Sequence, residues 1–319
     1  MTEQHLPLLA TAPAPAGARP PRPVRSRSLW SQAIGRLLRT PVAVVALAVL
    51  VLMLLFCFVG PLISPYTGDE INLRIAEHVP TMDHWLGTDD YGRDVATRLM
   101  LAGRISLTIG LASMLLSLVL GAVLGIVSGY FRGVLDLVLM RLADLLMALP
   151  GLPLLIVLAA LLSEFKVAPE ARIYLVTVLL SLIGWPSIAR LVRGQVLSLR
   201  EEPYLRAAEV LGLSTRSKLF HHLLPNVLPL LIVVATLSVA SGILSESALS
   251  FLGLGVMAPS ASWGNMITAA NNLIDFRQHW WLWVPPGMAL LITVAAINVL
   301  GDRLRDAFDP RSGGGSRGR

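Results

Sequence analysis

Long stretches free of Asp, Glu, Lys and Arg dominate this chain, and they come in a regular series. They cover 40–68, 105–131, 145–163, 173–189, 219–245 and 278–301. A helix that crosses a bilayer needs about 20 apolar residues at about 1.5 Å rise each. Each stretch is close to that length, and none alternates apolar and polar positions as the strands of a membrane barrel do. The pattern therefore predicts an all-α membrane protein with six transmembrane helices. The third helix starts near Val134, ahead of its uncharged stretch. A seventh uncharged segment, 247–274, is too rich in Gly, Pro, Ser and Asn for a clean helix and predicts a re-entrant or surface loop.

The segments between the spans set the orientation. With the N-terminus inside, the inner segments are 1–40, 129–144, 190–224 and 303–319, and they hold 19 of the 26 Lys and Arg residues. Such a bias marks the cytoplasmic side, so both termini are predicted to be cytoplasmic. The segment 64–94 carries Asp69, Glu70, Glu77, Asp83, Asp89, Asp90 and Asp94, which suits a solvated external face. The predicted organisation is a basic tail over 1–40, disordered over 1–28, a first helix over 41–63 and an external loop over 64–98. A core domain over 99–304 follows, with five helices and a polar loop at 194–224, and then an inner tail over 305–319. Arginines ahead of an apolar run also suit a signal peptide. The run 41–63 is too long for one and no small-residue cleavage site follows, so a retained helix is predicted.

Composition agrees with the pattern. Of 319 residues 55% are hydrophobic and 14% charged, and the mean hydropathy is +0.68. A soluble domain carries about 25% charged residues, so much of this surface must face lipid. The net charge of +6 reads as charged loops rather than as a nucleic-acid surface. The single cysteine, Cys57, lies inside the first span and reads as a small residue against lipid or a neighbouring helix. No G-x-x-x-x-G-K-[ST] phosphate loop, H-E-x-x-H or cysteine cluster is present. No nucleophile–base set is visible either, so this chain has no enzyme site of its own.

The segment 190–225 is polar and well punctuated. Glu201 and Glu202 suit a helix N-terminus and Pro203 its first turn. Tyr204, Ala207, Ala208 and Leu211 then share one helical face by spacing. Gly212 is placed to end the helix in a left-handed turn, and Ser214 to cap a second short helix over 215–222 before Pro225 opens the next span. By itself this helix–Gly–helix unit is equally a partner's docking site or an amphipathic connector on the membrane.

The run Tyr204-x-x-Ala207-Ala208-x-x-x-Gly212, with Leu224-Pro225 following, resembles the coupling loop of bacterial ATP-binding-cassette (ABC) importer permeases. That family commonly has Glu before the two alanines, and here Arg206 stands there with Glu209 just after. The segments LGTDDYGRDVATRLMLAGRISL (86–107), SGYFRGVLDLVLMRLADLLMALP (128–150), ESALSFLGLGVMAPSASWGNM (246–266) and LGDRLRDAFDP (300–310) are similar to the C-type permease subunit of dipeptide and oligopeptide importers. The resemblance spans about residues 30–312 and implies the type I ABC-importer permease fold in a bacterial inner membrane. It implies that Tyr204, Ala207, Ala208, Glu209, Leu211, Gly212 and Leu213 contact an ATPase. It also implies a homologous B-type permease, two ABC ATPase subunits that bind the ATP and Mg, and an extracytoplasmic solute-binding protein. Relatives carry peptides, nickel chelates, glutathione or other small solutes. A secondary transporter or channel acting alone is the competing class. It would need inverted repeats and ion-coupling carboxylates in the spans, and neither is evident.

A few further residues invite assignment. Glu246 ends the fifth span, where a carboxylate either touches a translocation path or caps the loop beyond it. Arg141 and Asp144, three apart, can pair on one face. His221 and His222 lack a third ligand nearby and read as surface or ATPase-contact residues. Trp280, Trp281 and Trp283 read as an interfacial belt, and Trp85 and Trp263 as interfacial or binding-protein contacts. Gly121, Gly125 and Gly129, with Gly110, predict close helix packing.

Overall fold

Lipid offers backbone groups no partner, so every span must close its own hydrogen bonds, and the computed structural model solves this with helices throughout. It describes residues 29–164 and 167–308, among which one isolated bridge, Thr88–Asp94, is the sole β pairing. The tail 1–28 and residues 309–319 lie outside the described residues. Among the described residues five helices are long and apolar enough to cross a membrane, and one bent pair meets the same criteria only when its two halves are taken together, which gives five to six candidate spans.

The chain opens with α1 (Leu29–Arg39), from which Thr40 leads directly into α2 (Pro41–Phe58). A short α3 (Gly60–Ile63) follows a break at Val59. Pro61 has no N–H to give to Cys57 four residues back. Arg104 replaces it: its Nε donates to the Cys57 carbonyl at 2.9 Å and its Nη2 to the Phe58 carbonyl at 2.7 Å. Arg104→Leu should orphan both carbonyls and cost about 1–3 kcal/mol. A lowered midpoint in thermal unfolding of the detergent-solubilised protein would register it, and an unchanged midpoint would contradict it.

The next helix, α4 (Val95–Phe131), starts ten residues before its uncharged stretch. Asp94 caps it by accepting from Thr97 N at 2.8 Å. The predicted external loop over 64–98 therefore stops at Asp94. The helix can contain Arg98 because that side chain, 8% exposed, donates to the Gly68 carbonyl at 3.0 Å and meets Asp89 at 3.4 Å.

The third crossing is not the single helix predicted. It divides into α5 (Gly133–Ala148) and α6 (Gly151–Ser163), bent by 91°. Leu149 and Pro150 are both extended, because a proline disfavours helix in the residue before it and cannot donate to the turn behind it. The fourth, α7 (Pro169–Arg200), overruns its uncharged stretch at the C-terminal end. Two of its extra charges are paired with α5: Arg193 with Asp136 at 2.6 Å, and Arg190 with Asp144. The local Arg141–Asp144 pair predicted from spacing is thus replaced by bridges between helices.

After α8 (Pro203–Val210) and α9 (Thr215–Ser217), a π-helical turn over Lys218–Leu223 runs straight into α10 (Leu224–Phe251). The second short helix predicted before Pro225 is therefore fused to the span. The wider register absorbs the proline: Leu224 N bonds Leu219 O, and Asn226 Nδ2 takes the His222 carbonyl at 2.6 Å. The glycine-rich segment folds inward and continues into α11 (Trp263–Met266) and α12 (Leu273–Gln278). The last span is α13 (Trp280–Phe308).

The seam between α4 and α7 centres the bundle. A Cβ added at Gly121 would lie 2.6 Å from Ile188 Cβ, one at Gly125 2.5 Å from the Ala189 carbonyl, and one at Gly129 2.9 Å from Val196 Cβ. The predicted glycine packing is there, and α7 is its partner. On another side of α4, Gly110 meets Ile243 of α10, and Cys57 of α2 is fully buried beside Gly103.

Candidate functional site

At the end of the bundle rich in basic loops, α8 hangs between α7 and α10. Glu202 is extended, Pro203 occupies the first turn, and Gly212 takes φ +72°, as predicted for a glycine stop. Gly212 N and Leu213 N close the turn on the carbonyls of Glu209 and Ala208. Ser214 Oγ then accepts from Ser217 N at 3.3 Å.

The four-residue face expected here is split. Leu205 and Ala208 turn inward, at 4% and 6% exposure, and Leu205 packs with Val196, Leu223 and Val227. Tyr204, Ala207, Glu209, Leu211 and Gly212 are exposed, and Leu213 is half-buried. A helix of two turns has its rotation set by its one large apolar anchor, and Leu205 is that anchor. The sequence reading missed Val210, which with Leu211 forms an apolar tip, 88% and 78% exposed. The available signal was two apolar residues before a terminating glycine in an otherwise charged loop.

Ion pairs join this unit to the elbow between α4 and α5. Arg206, in place of the family's glutamate, pairs with Glu201, and Glu201 also meets Arg132 Nη2 at 3.4 Å. Arg206 first and Arg132 second hold Glu201 below the usual carboxylate range. Glu209 Oε1 lies 3.6 Å from Lys218 Nζ, which sits over the Tyr130 ring. Arg200 Nη1 donates to the Tyr130 carbonyl at 2.6 Å. The elbow itself has two successive left-handed residues, Arg132 at φ +55° and Gly133 at φ +67°. His221 is exposed and His222 half-buried, and neither joins a metal-like cluster. Among the described residues Glu77, Asp275 and His279 do come together, with His279 Nδ1 at 2.8 Å from Asp275.

Glu246 lies well away from that end and reaches no surface. It is fully buried, accepting from Ser106 Oγ at 2.8 Å, Ser250 Oγ at 2.6 Å and Ser247 Oγ at 3.3 Å. Two of these hydroxyls hold the inward loop, since Ser106 Oγ accepts from Trp263 N and Ser250 Oγ from Val256 N. In this conformation the Glu246 carboxylate therefore holds the loop beyond it through those serines.

Two of the tryptophans, Trp263 and Trp281, differ from their expected interfacial places. Trp263 is fully buried with Nε1 donating to the Leu99 carbonyl at 3.2 Å, and Trp281, 3% exposed, donates to the Thr88 carbonyl at 3.2 Å. A buried indole needs an acceptor, and both find a main-chain carbonyl. Trp283 stacks on Phe276 at 4.9 Å, while Trp280 and Trp85 remain exposed.

Residues 121–313 match the family model described as the binding-protein-dependent transport system inner membrane component. Residues 28–80 match the N-terminal TM domain of oligopeptide transport permease C. The oligopeptide transport system permease protein OppC of Bacillus subtilis is 38% identical over 97% of this chain and 99% of its own length. The OppC proteins of Escherichia coli K12 and Salmonella typhimurium are each 41% identical over 90% of this chain and 93% of theirs.

Proposed function

This chain belongs to the family of binding-protein-dependent transport system inner membrane components, and from that we propose that it is the C-type permease of an ABC importer for di- and oligopeptides. The observation that carries the reading is similarity over nearly the whole length to permeases named for oligopeptide transport. Half of the translocation channel comes from this chain and half from a homologous B-type permease. Two ABC ATPase subunits sit at the basic, cytoplasmic end, and a solute-binding protein delivers peptide at the acidic, external end. The charge bias of the loops supports that orientation. ATP and magnesium belong to the ATPases, since this sequence has no phosphate loop of its own.

The geometry supports a route for the coupling. The exposed tip at Val210 and Leu211, with Tyr204, Ala207 and Glu209 beside it, enters the ATPase surface. The inward residues Leu205 and Ala208 transmit movement to α7 and α10 through packing. The pairs Arg206–Glu201–Arg132 and Glu209–Lys218 carry it to the α4–α5 elbow. When ATP draws the two ATPases together, α8 moves with them and the bundle passes between inward- and outward-facing arrangements.

The test is reconstitution of the four-subunit complex in proteoliposomes with the binding protein. ATP-dependent uptake of labelled peptides, abolished when either the ATPases or the binding protein are omitted, is the expected result. Uptake by this chain alone would overturn the reading in favour of a secondary transporter. Uptake of a nickel chelate or glutathione but not peptide would overturn the substrate.

A further inference from the structure

With Glu246 occupied elsewhere, another part of the bundle has the character of a solute path. A cleft of about 210 Å³ opens near the middle of the spans between α4, α6, α7 and α10. Its wall carries six serines: Ser113 and Ser117 on α4, Ser187 on α7, and Ser238, Ser241 and Ser245 on α10. Ser113 and Ser117 are 3% and 4% exposed and form its floor, while Ser187 and Ser241 are exposed at its mouth. No Asp, Glu, Lys or Arg lines it.

We infer that this cleft is the part of the translocation path supplied by this subunit, and that its hydroxyls contact the main-chain amides of the passing peptide. The inference rests on the peptide-importer reading and adds the contact surface to it. Its first support is the segregation of side chains. Along the middle of α4 the exposed positions Leu111, Leu115, Leu116 and Val119 are apolar and lie outside the cleft, whereas the cleft side presents Ser113 and Ser117 beside Met114. Six hydroxyls converging from three helices at membrane depth are not needed to fill apolar space. Alanine would fill it without a polar atom.

The second support is how the hydroxyls are already bonded. Ser113 donates to Gly110 O, Ser187 to Gly184 O, Ser241 to Leu237 O, and Ser117 to Ser181 O across the α4–α7 seam. A hydroxyl that donates inward keeps lone pairs to accept from a peptide N–H, and it can rotate to donate to a peptide carbonyl. Such a wall replaces water around a backbone of any sequence. Without fixed charge, it neither traps nor repels a peptide for its charged side chains, which suits a channel whose selectivity lies in a separate binding protein.

The third support is the glycine placement that keeps the cleft open. A Cβ at Gly184 would lie 2.6 Å from Ser117 Oγ, and one at Gly242 3.0 Å from Ser113 Oγ.

The test uses the full complex in proteoliposomes. The only cysteine of this chain, Cys57, is buried, so Ser241→Cys supplies its one accessible thiol, and labelling is read on this chain after the subunits are separated. A membrane-impermeant maleimide should modify it, and saturating peptide with the binding protein and ATP should slow that modification several-fold. Modification by a lipid-soluble maleimide alone, or no protection by peptide, would overturn the inference. In parallel, Ser241→Trp should cut peptide uptake at least tenfold while binding-protein-stimulated ATP hydrolysis persists. Wild-type uptake through Ser241→Trp would overturn it too. If the wild-type complex itself imports no peptide, the importer reading fails. If the wild type imports peptide and the two variants give the contrary results, only the cleft assignment fails.

Discussion

A complex carrying Leu211→Asp is expected to lose nearly all peptide uptake while the chain itself folds and inserts normally. Leu211 is 78% exposed and Val210 beside it 88%, so the substitution removes no internal packing. What it changes is the apolar tip that, in the proposed function, enters the ATPase surface. A carboxylate forced into a desolvated groove without a partner has the cost of a lost interface hot spot, about 2–4 kcal/mol. That is a weakening of about 30- to 1,000-fold in docking. Uptake and co-purification of the ATPases should fall together, and uptake equal to the wild type would refute the docking role. Ala208→Glu is a different experiment despite its adjacency. Ala208 is 6% exposed, so glutamate there strikes the packing of α8 on its own chain and should lower the yield of folded protein.

Gly125→Val should have the largest effect on folding. Any Cβ at this position lies 2.5 Å from the Ala189 carbonyl and 2.8 Å from Val192 Cβ, and a backbone oxygen has nowhere to retreat. The helices must separate, which also opens the contacts at Gly121 and Gly129. Overpacking by a single methyl costs about 1–3 kcal/mol, and valine adds two more carbons. The expected result is loss of folded protein on size-exclusion chromatography in detergent, with transport abolished. Gly194→Ala is the matched control, since a Cβ there meets nothing within 4 Å. It should leave transport intact and stabilise α7 by about 0.5–1 kcal/mol. Equal behaviour of the two variants would show that close approach of α4 and α7 is not what the glycines provide.

Much of the candidate site was legible because its signals are local. Pro203 in a first turn, Gly212 at positive φ and Ser214 as a cap each depend on a few neighbouring residues. The rotation of α8 was not legible, because Leu205 chooses it by finding Val196, Leu223 and Val227, residues 9 to 22 positions away by number. The same holds for charge. Counting uncharged residues cut α4 and α7 short, since Arg98, Arg190 and Arg193 sit in helix that their partners on other segments make tolerable. The Leu149–Pro150 break had a proline signal, and reading the apolar run as one span smoothed over it.

By itself the sequence determined that this is a bundle of membrane-crossing helices, with a charged loop unit punctuated by Pro, Gly and Ser, and it carried the family's motifs. Those features follow from lipid's refusal of open backbone groups and from steric rules that act within about four residues. Only the tertiary structure decided that Glu246 and Trp263 are internal fastenings, that Val210 joins Leu211 at the tip, and that six serines from three helices meet in one cleft. Those outcomes depend on which faces of distant helices come together, and a polar group in a membrane is an interior tie or an open contact according to that packing alone.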